Sequence, residues 1–74
     1  MSRNPRVTGA EIIGALGQLG FRVLRVRGSH HMLHHDDGRT TVVPVHSSET
    51  IGPGLLHKIL RDCQLTAAEL AKLL

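Results

Sequence analysis

Ile12, Ile13, Leu16 and Leu19 recur at three- and four-residue intervals before Gly20, a spacing that gathers apolar side chains along one side of a helix. Thr8 stands three positions ahead of Glu11, which is the capping-box spacing that starts such a helix. Gly14 and Gly17 lie inside it, each costing about 1 kcal/mol relative to alanine, so either another element packs closely against them, which is the expectation, or the helix leans on tertiary contacts. From Phe21 to Arg27 the pattern changes to branched residues over too short a run for a helix, and predicts a strand. Its alternation slips at Val23-Leu24, which implies a bulge or burial on both faces.

Two more strands follow, Ser29 to His35 and Thr40 to Val45, joined by Asp36-Asp37-Gly38-Arg39, a composition suited to a tight hairpin turn. Pro44 has no amide donor and so belongs on an edge strand, which gives a meander in the order 1-2-3. After a small-residue loop from His46 to Gly54, Leu55, Leu56, Ile59, Leu60 and Cys63 mark a second helix that begins between Ile51 and Leu55. Thr66 and Glu69 repeat the capping-box spacing before Leu70, Leu73 and Leu74. The chain thus reads as one domain over residues 1–74 with a flexible arm at 1–7. Its class is α+β: a helix, a three-stranded antiparallel sheet, a helix and a short C-terminal helix, with the helices on one sheet face.

A chain of 74 residues supports only a small core, burying about 60% of its unfolded surface. Cys63 has no partner for an intramolecular disulfide, no apolar run approaches the roughly 20 residues of a membrane span, and no apolar stretch follows Met1. The expectation is a cytoplasmic protein with no membrane partner. Phe21 is the sole aromatic residue, so single-stranded RNA cannot be held by stacking bases on aromatic platforms, and any RNA contact must use charge and backbone groups. The net charge of +3 is unevenly spread: residues 1–28 hold Arg3, Arg6, Arg22, Arg25 and Arg27 against Glu11 alone, +4, whereas the remainder has four positive and five negative side chains, −1. Arg25 and Arg27 share a strand face beside Gly28-Ser29-His30, a stripe that would attract an anionic backbone.

Six histidines raise the question of acid-base or metal chemistry. An imidazole titrates near neutral pH, so it can take the proton of a ribose 2′-hydroxyl or give one to a leaving 5′-oxygen. A histidine beside a turn is nevertheless more often structural or merely exposed. His31 alternates to the face opposite His30 and reads as a half-buried strand residue. His34 and His35 precede the Asp-Asp-Gly turn, where polar residues face water, and His57 and Lys58 lie on a helix surface with Arg61 one turn on. His30 and His34 share a face but stand about 13 Å apart, a poor chelate. With neither a Cys-x-x-Cys pair nor two helical histidines four apart, no metal and no other cofactor is expected. Cys63 reads as core.

Gly28-Ser29-His30-His31, then Thr41-Val42-Val43-Pro44-Val45-His46, then Gly54-Leu55-Leu56-His57-Lys58-Ile59-Leu60-Arg61 resemble, in order and spacing, the HicA family of small toxins, over roughly residues 8 to 74. The resemblance implies a fold similar to double-stranded-RNA-binding domains and an mRNA-cleaving, ribosome-independent activity. It also implies His30 as catalytic residue, RNA-binding roles for Gly28, Ser29, Arg25, Arg27 and Lys58, and a HicB-like antitoxin protein as partner. His46 falls on the segment resembling the family's Val-Pro-Val-His and is a candidate second acid-base or phosphate-binding group. Gly52-Pro53-Gly54 makes the loop before the second helix stiffer or differently shaped than the lysine-bearing loop more usual in the family, so a phosphate contact from that loop is not carried over. The rival reading is a noncatalytic RNA- or protein-binding module of the same fold, and a purely structural or oligomer-forming protein is a third.

Overall fold

The computed structural model describes residues 6–74. Helix α1 (Gly9–Gln18) is followed by strands β1 (Arg22–Arg27), β2 (His30–His34) and β3 (Thr40–Pro44), then by helices α2 (Pro53–Cys63) and α3 (Ala67–Ala71). The antiparallel sheet has the order β1-β2-β3. Both capping boxes form: the Thr8 hydroxyl accepts from the Glu11 amide and the Glu11 carboxylate accepts from the Thr8 amide, and Thr66 and Glu69 do the same for α3. Proline at the first turn of α2 fits a position whose missing N–H would have no helical partner.

Ile12 and Leu16 of α1, Leu33 and Val43 of the sheet, Leu56, Ile59 and Cys63 of α2 and Leu70 of α3 form one buried core. The sheet is unevenly covered. β3 lies under both helices, whereas all six residues of β1 are exposed. The irregularity expected at Val23-Leu24 is a bulge between Val23 and Arg25, and the alternative of burial on both faces does not hold. Pro44 does lie on an edge strand. Ser29 and Val45, and His35 and Arg39, mark the hydrogen-bonded rungs, so Pro44 opposite His30 occupies a rung that needs no amide from it.

Two expectations are corrected. A methyl at Gly14 or Gly17 would meet nothing within 4 Å, so neither glycine serves close packing. The tight contact is at Gly9, whose Cα lies against the Pro44 carbonyl. Of the arm expected at 1–7, residues 1–5 fall outside the described residues, but Val7 is buried and its carbonyl accepts the Ile51 amide at 2.7 Å. Among the described residues no helix is long and apolar enough to cross a membrane.

Candidate functional site

The β1–β2 hairpin closes on Arg27 and His30, with Gly28 and Ser29 as its two loop residues. Gly28 has φ +60°, while Ser29 stays in the negative region, which is the pattern of a type II′ turn. A two-residue hairpin needs that mirror-image turn to match the twist of its strands, and the first loop position then excludes a side chain. Space is not the reason, because a Cβ at Gly28 would meet nothing within 4 Å. The Ser29 carbonyl accepts the Val45 amide at 2.8 Å and faces His31 Nδ1 at 3.1 Å, so the turn is tied to β3 as well as to β1.

Side-chain alternation divides the histidines. Leu33 and Val43 are buried toward the helices, and His31, paired with Val43, shares their side. His30 and Met32 therefore stand on the opposite, open face, and their β1 partners Arg27 and Arg25 stand there with them. His30 is exposed, and among the described residues its ring has no hydrogen-bond partner. An unengaged imidazole in water, with a guanidinium as its cross-strand partner, can exchange a proton and stand next to an anion at once.

Lys58 is placed differently. Its ammonium donates to Asp62 Oδ2 at 2.9 Å, and that carboxylate also accepts from the Thr41 hydroxyl at 3.0 Å on the helix-facing side of β3. Burial raises the Asp62 carboxyl, but the hydrogen bonds from Lys58 and Thr41 together outweigh it and hold the group below the usual carboxylate range. Lys58 and Asp62 line a cleft of about 480 Å³ that also touches Leu24, Arg25, Met32, His34 and Val42. The structure therefore brings Arg25 and Lys58 to one cleft, while Lys58 does not join His30 at the hairpin turn.

His46 is exposed just beyond β3 and lines a smaller cleft with Pro44, Glu49 and Ile51. His57 is exposed on α2. His35, expected to face water, does not. Its Nδ1 accepts the Asp37 amide at 3.1 Å, so Nε2 carries the proton and donates to the Leu19 carbonyl at 2.8 Å. The ring meets Phe21 edge-on at 5.1 Å. Arg39 lies over the other side of this cluster, 5.0 Å from the Phe21 centroid, and donates to the Cys63 carbonyl at 2.6 Å. No spacing rule links position 39 to 63, and the one available signal was that a lone aromatic residue in so small a core attracts the long side chains around it.

Cys63 is buried as expected, and burial first, with the Asp62 charge second, pushes its thiol up to about 11 against a smaller opposing effect of Arg39. A thiol so placed is a poor nucleophile. Among the described residues no three histidine, cysteine, aspartate or glutamate side chains converge to hold a metal ion.

The family of HicA toxins of bacterial toxin-antitoxin systems matches residues 9–65, from the first residue of α1 to the residue that follows the α2 cap. No curated protein matches the chain.

Proposed function

Because the chain belongs to the HicA toxin family of bacterial toxin-antitoxin systems, we propose that it is a cytoplasmic endoribonuclease that cuts mRNA without a metal and without the ribosome. Membership in the family makes it the toxin of a pair and implies an antitoxin partner. The finer reading is that the partner is HicB-like and that His30 is the general base or acid of RNA cleavage. The single observation behind this reading is an exposed, unengaged His30 closing a type II′ hairpin against Arg27.

In this reading the 2′-oxygen of the ribose attacks the adjacent phosphorus and displaces the 5′-oxygen of the next nucleotide. The products are a 2′,3′-cyclic phosphate and a 5′-hydroxyl. The attacking or leaving oxygen exchanges its proton with His30, a contribution of about 10²- to 10⁴-fold in rate. Arg27 holds the phosphate and opposes its growing charge, and Arg25 and Lys58, at the rim of their shared cleft, hold flanking phosphates. Gly28 and Ser29 shape the approach, with no side chain at position 28 to obstruct the backbone of the substrate.

The test is His30→Ala in purified protein, with mapping of RNA ends. The variant is expected to fold and to bind RNA, with cleavage lowered at least about 100-fold. Cleavage at the original rate would move the chemistry to another residue. RNA binding with no cleavage by the unsubstituted protein would favour the noncatalytic module. Activity in excess EDTA is expected to be unchanged, and its loss with recovery on adding zinc would overturn the metal-independent reading.

A further inference from the structure

Transesterification of RNA moves two protons at opposite sides of one phosphorus, since the attacking 2′-oxygen loses one and the departing 5′-oxygen gains one. One imidazole reaches one side only. The second group must stand several ångströms from the first, facing it across the phosphate rather than touching it.

The sheet register supplies such a position. His30 lies opposite Pro44, and the ladder continues one rung further, because the Val45 amide donates to the Ser29 carbonyl at 2.8 Å. Beyond Val45 the chain bends, with the Glu49 amide donating to the His46 carbonyl at 2.8 Å and Ser47 at φ +50°. His46 lies two residues beyond Pro44, the register partner of His30, and extended backbone continued through Val45 would make it the diagonal neighbour of His30 on that face. Diagonal neighbours on one sheet face are about 7–8 Å apart, against about 5 Å for directly opposed residues, and that gap fits one phosphate between two rings.

Gly28, in the turn just before His30, has no side chain, and a Cβ there would meet nothing within 4 Å. Like His30, His46 is exposed, and among the described residues its ring has no hydrogen-bond partner. The charges around the two rings differ. Glu49 lines the same cleft as His46, whereas Arg27 is the β1 partner of His30.

We propose that His46 is a second catalytic residue, the acid that protonates the leaving 5′-oxygen while His30 takes the proton of the 2′-hydroxyl. The bond from the 2′-oxygen to phosphorus forms, the bond from phosphorus to the 5′-oxygen breaks, and the protein is left with His30 protonated and His46 neutral. Exchange with water resets both rings. This assignment rests on the reading of the chain as an RNA-cleaving toxin with His30 at its centre.

The test compares two RNA oligonucleotides built around a mapped cleavage site, one natural and one with sulfur in place of the bridging 5′-oxygen at that bond. A thiolate leaves without being protonated, so it does not require an acid. His46→Ala is expected to cleave the natural RNA about 10²- to 10⁴-fold more slowly than the unsubstituted protein, and the sulfur-containing RNA within about tenfold of it. His30→Ala is expected to be slow on both. His46→Ala that cleaves the natural RNA at the original rate, or that is equally impaired on both substrates, overturns the assignment and leaves the role of His30 standing. Failure of the unsubstituted protein to cleave either RNA overturns both. An unchanged melting temperature for His46→Ala excludes loss of folding as the cause.

Discussion

Gly9 and Pro44 meet backbone to backbone, the first residue of α1 against the last of β3, so closely that a methyl on the Gly9 Cα would overlap the Pro44 carbonyl oxygen. The contact fixes the start of α1 beside the strand end that precedes His46. Neither partner can yield by rotating a side chain, because both are main chain.

Gly9→Ala is therefore expected to destabilise the fold by about 1–3 kcal/mol, the usual range for forcing extra volume into a packed site. Chemical denaturation measures it. A change under about 0.5 kcal/mol would show that the helix start can shift without cost.

The two exposed glycines within α1 have the opposite prospect. Gly14→Ala and Gly17→Ala each add a methyl to open space in a helix and are each expected to raise stability by about 1 kcal/mol. Thermal melts of the two variants and the double variant would show this, the effects adding if the sites are independent. A lower melting temperature for either would mean that the surface it touches is not free.

Acid stability follows from three carboxyls held below their ordinary range. The Arg39 amide is the main cause for Asp37, the Thr66 amide for Glu69, and the Lys58 and Thr41 hydrogen bonds overcome burial for Asp62. A carboxyl lowered in the folded state stabilises it above the unfolded value and loses that contribution as pH falls through the folded one. Stability should thus drop below about pH 4, and Asp62→Asn, which keeps an acceptor for Thr41, should flatten that limb. Denaturation midpoints at pH 2–6 measure it, and an unchanged slope in Asp62→Asn would remove the Lys58–Asp62–Thr41 network from the account.

The Cys63 thiol, raised to about 11 and buried, should resist alkylation at pH 8 in the folded protein and react at the rate of a free cysteine once the protein is unfolded in urea. Labelling of the native protein as fast as of the unfolded would show that α2 opens readily at its C-terminal end.

Much of the fold was legible along the chain because local rules govern it. Thr8 with Glu11 and Thr66 with Glu69 form the caps that their spacing implied, the slip at Val23-Leu24 is a bulge, and Pro44 stands on an edge. At the candidate site, Gly28 proved a turn residue whose positive φ favours glycine, and alternation put His31 on the helix-facing side. Each of these depends on a few neighbouring residues, whose backbone preferences are much the same in any tertiary setting.

The sequence by itself therefore determined the elements, their order and the hairpin that presents His30. Tertiary structure alone decided that Gly9 rather than Gly14 or Gly17 carries the close contact, and that His35 is held inward by Leu19 and Phe21. It also decided that Arg39 reaches the Cys63 carbonyl 24 residues away, and that Lys58 is paired with Asp62 apart from the hairpin turn. The physical reason is that these outcomes depend on which distant segments share a small core. Packing settles that through the summed contacts of the whole chain, and no local pattern of residues encodes it.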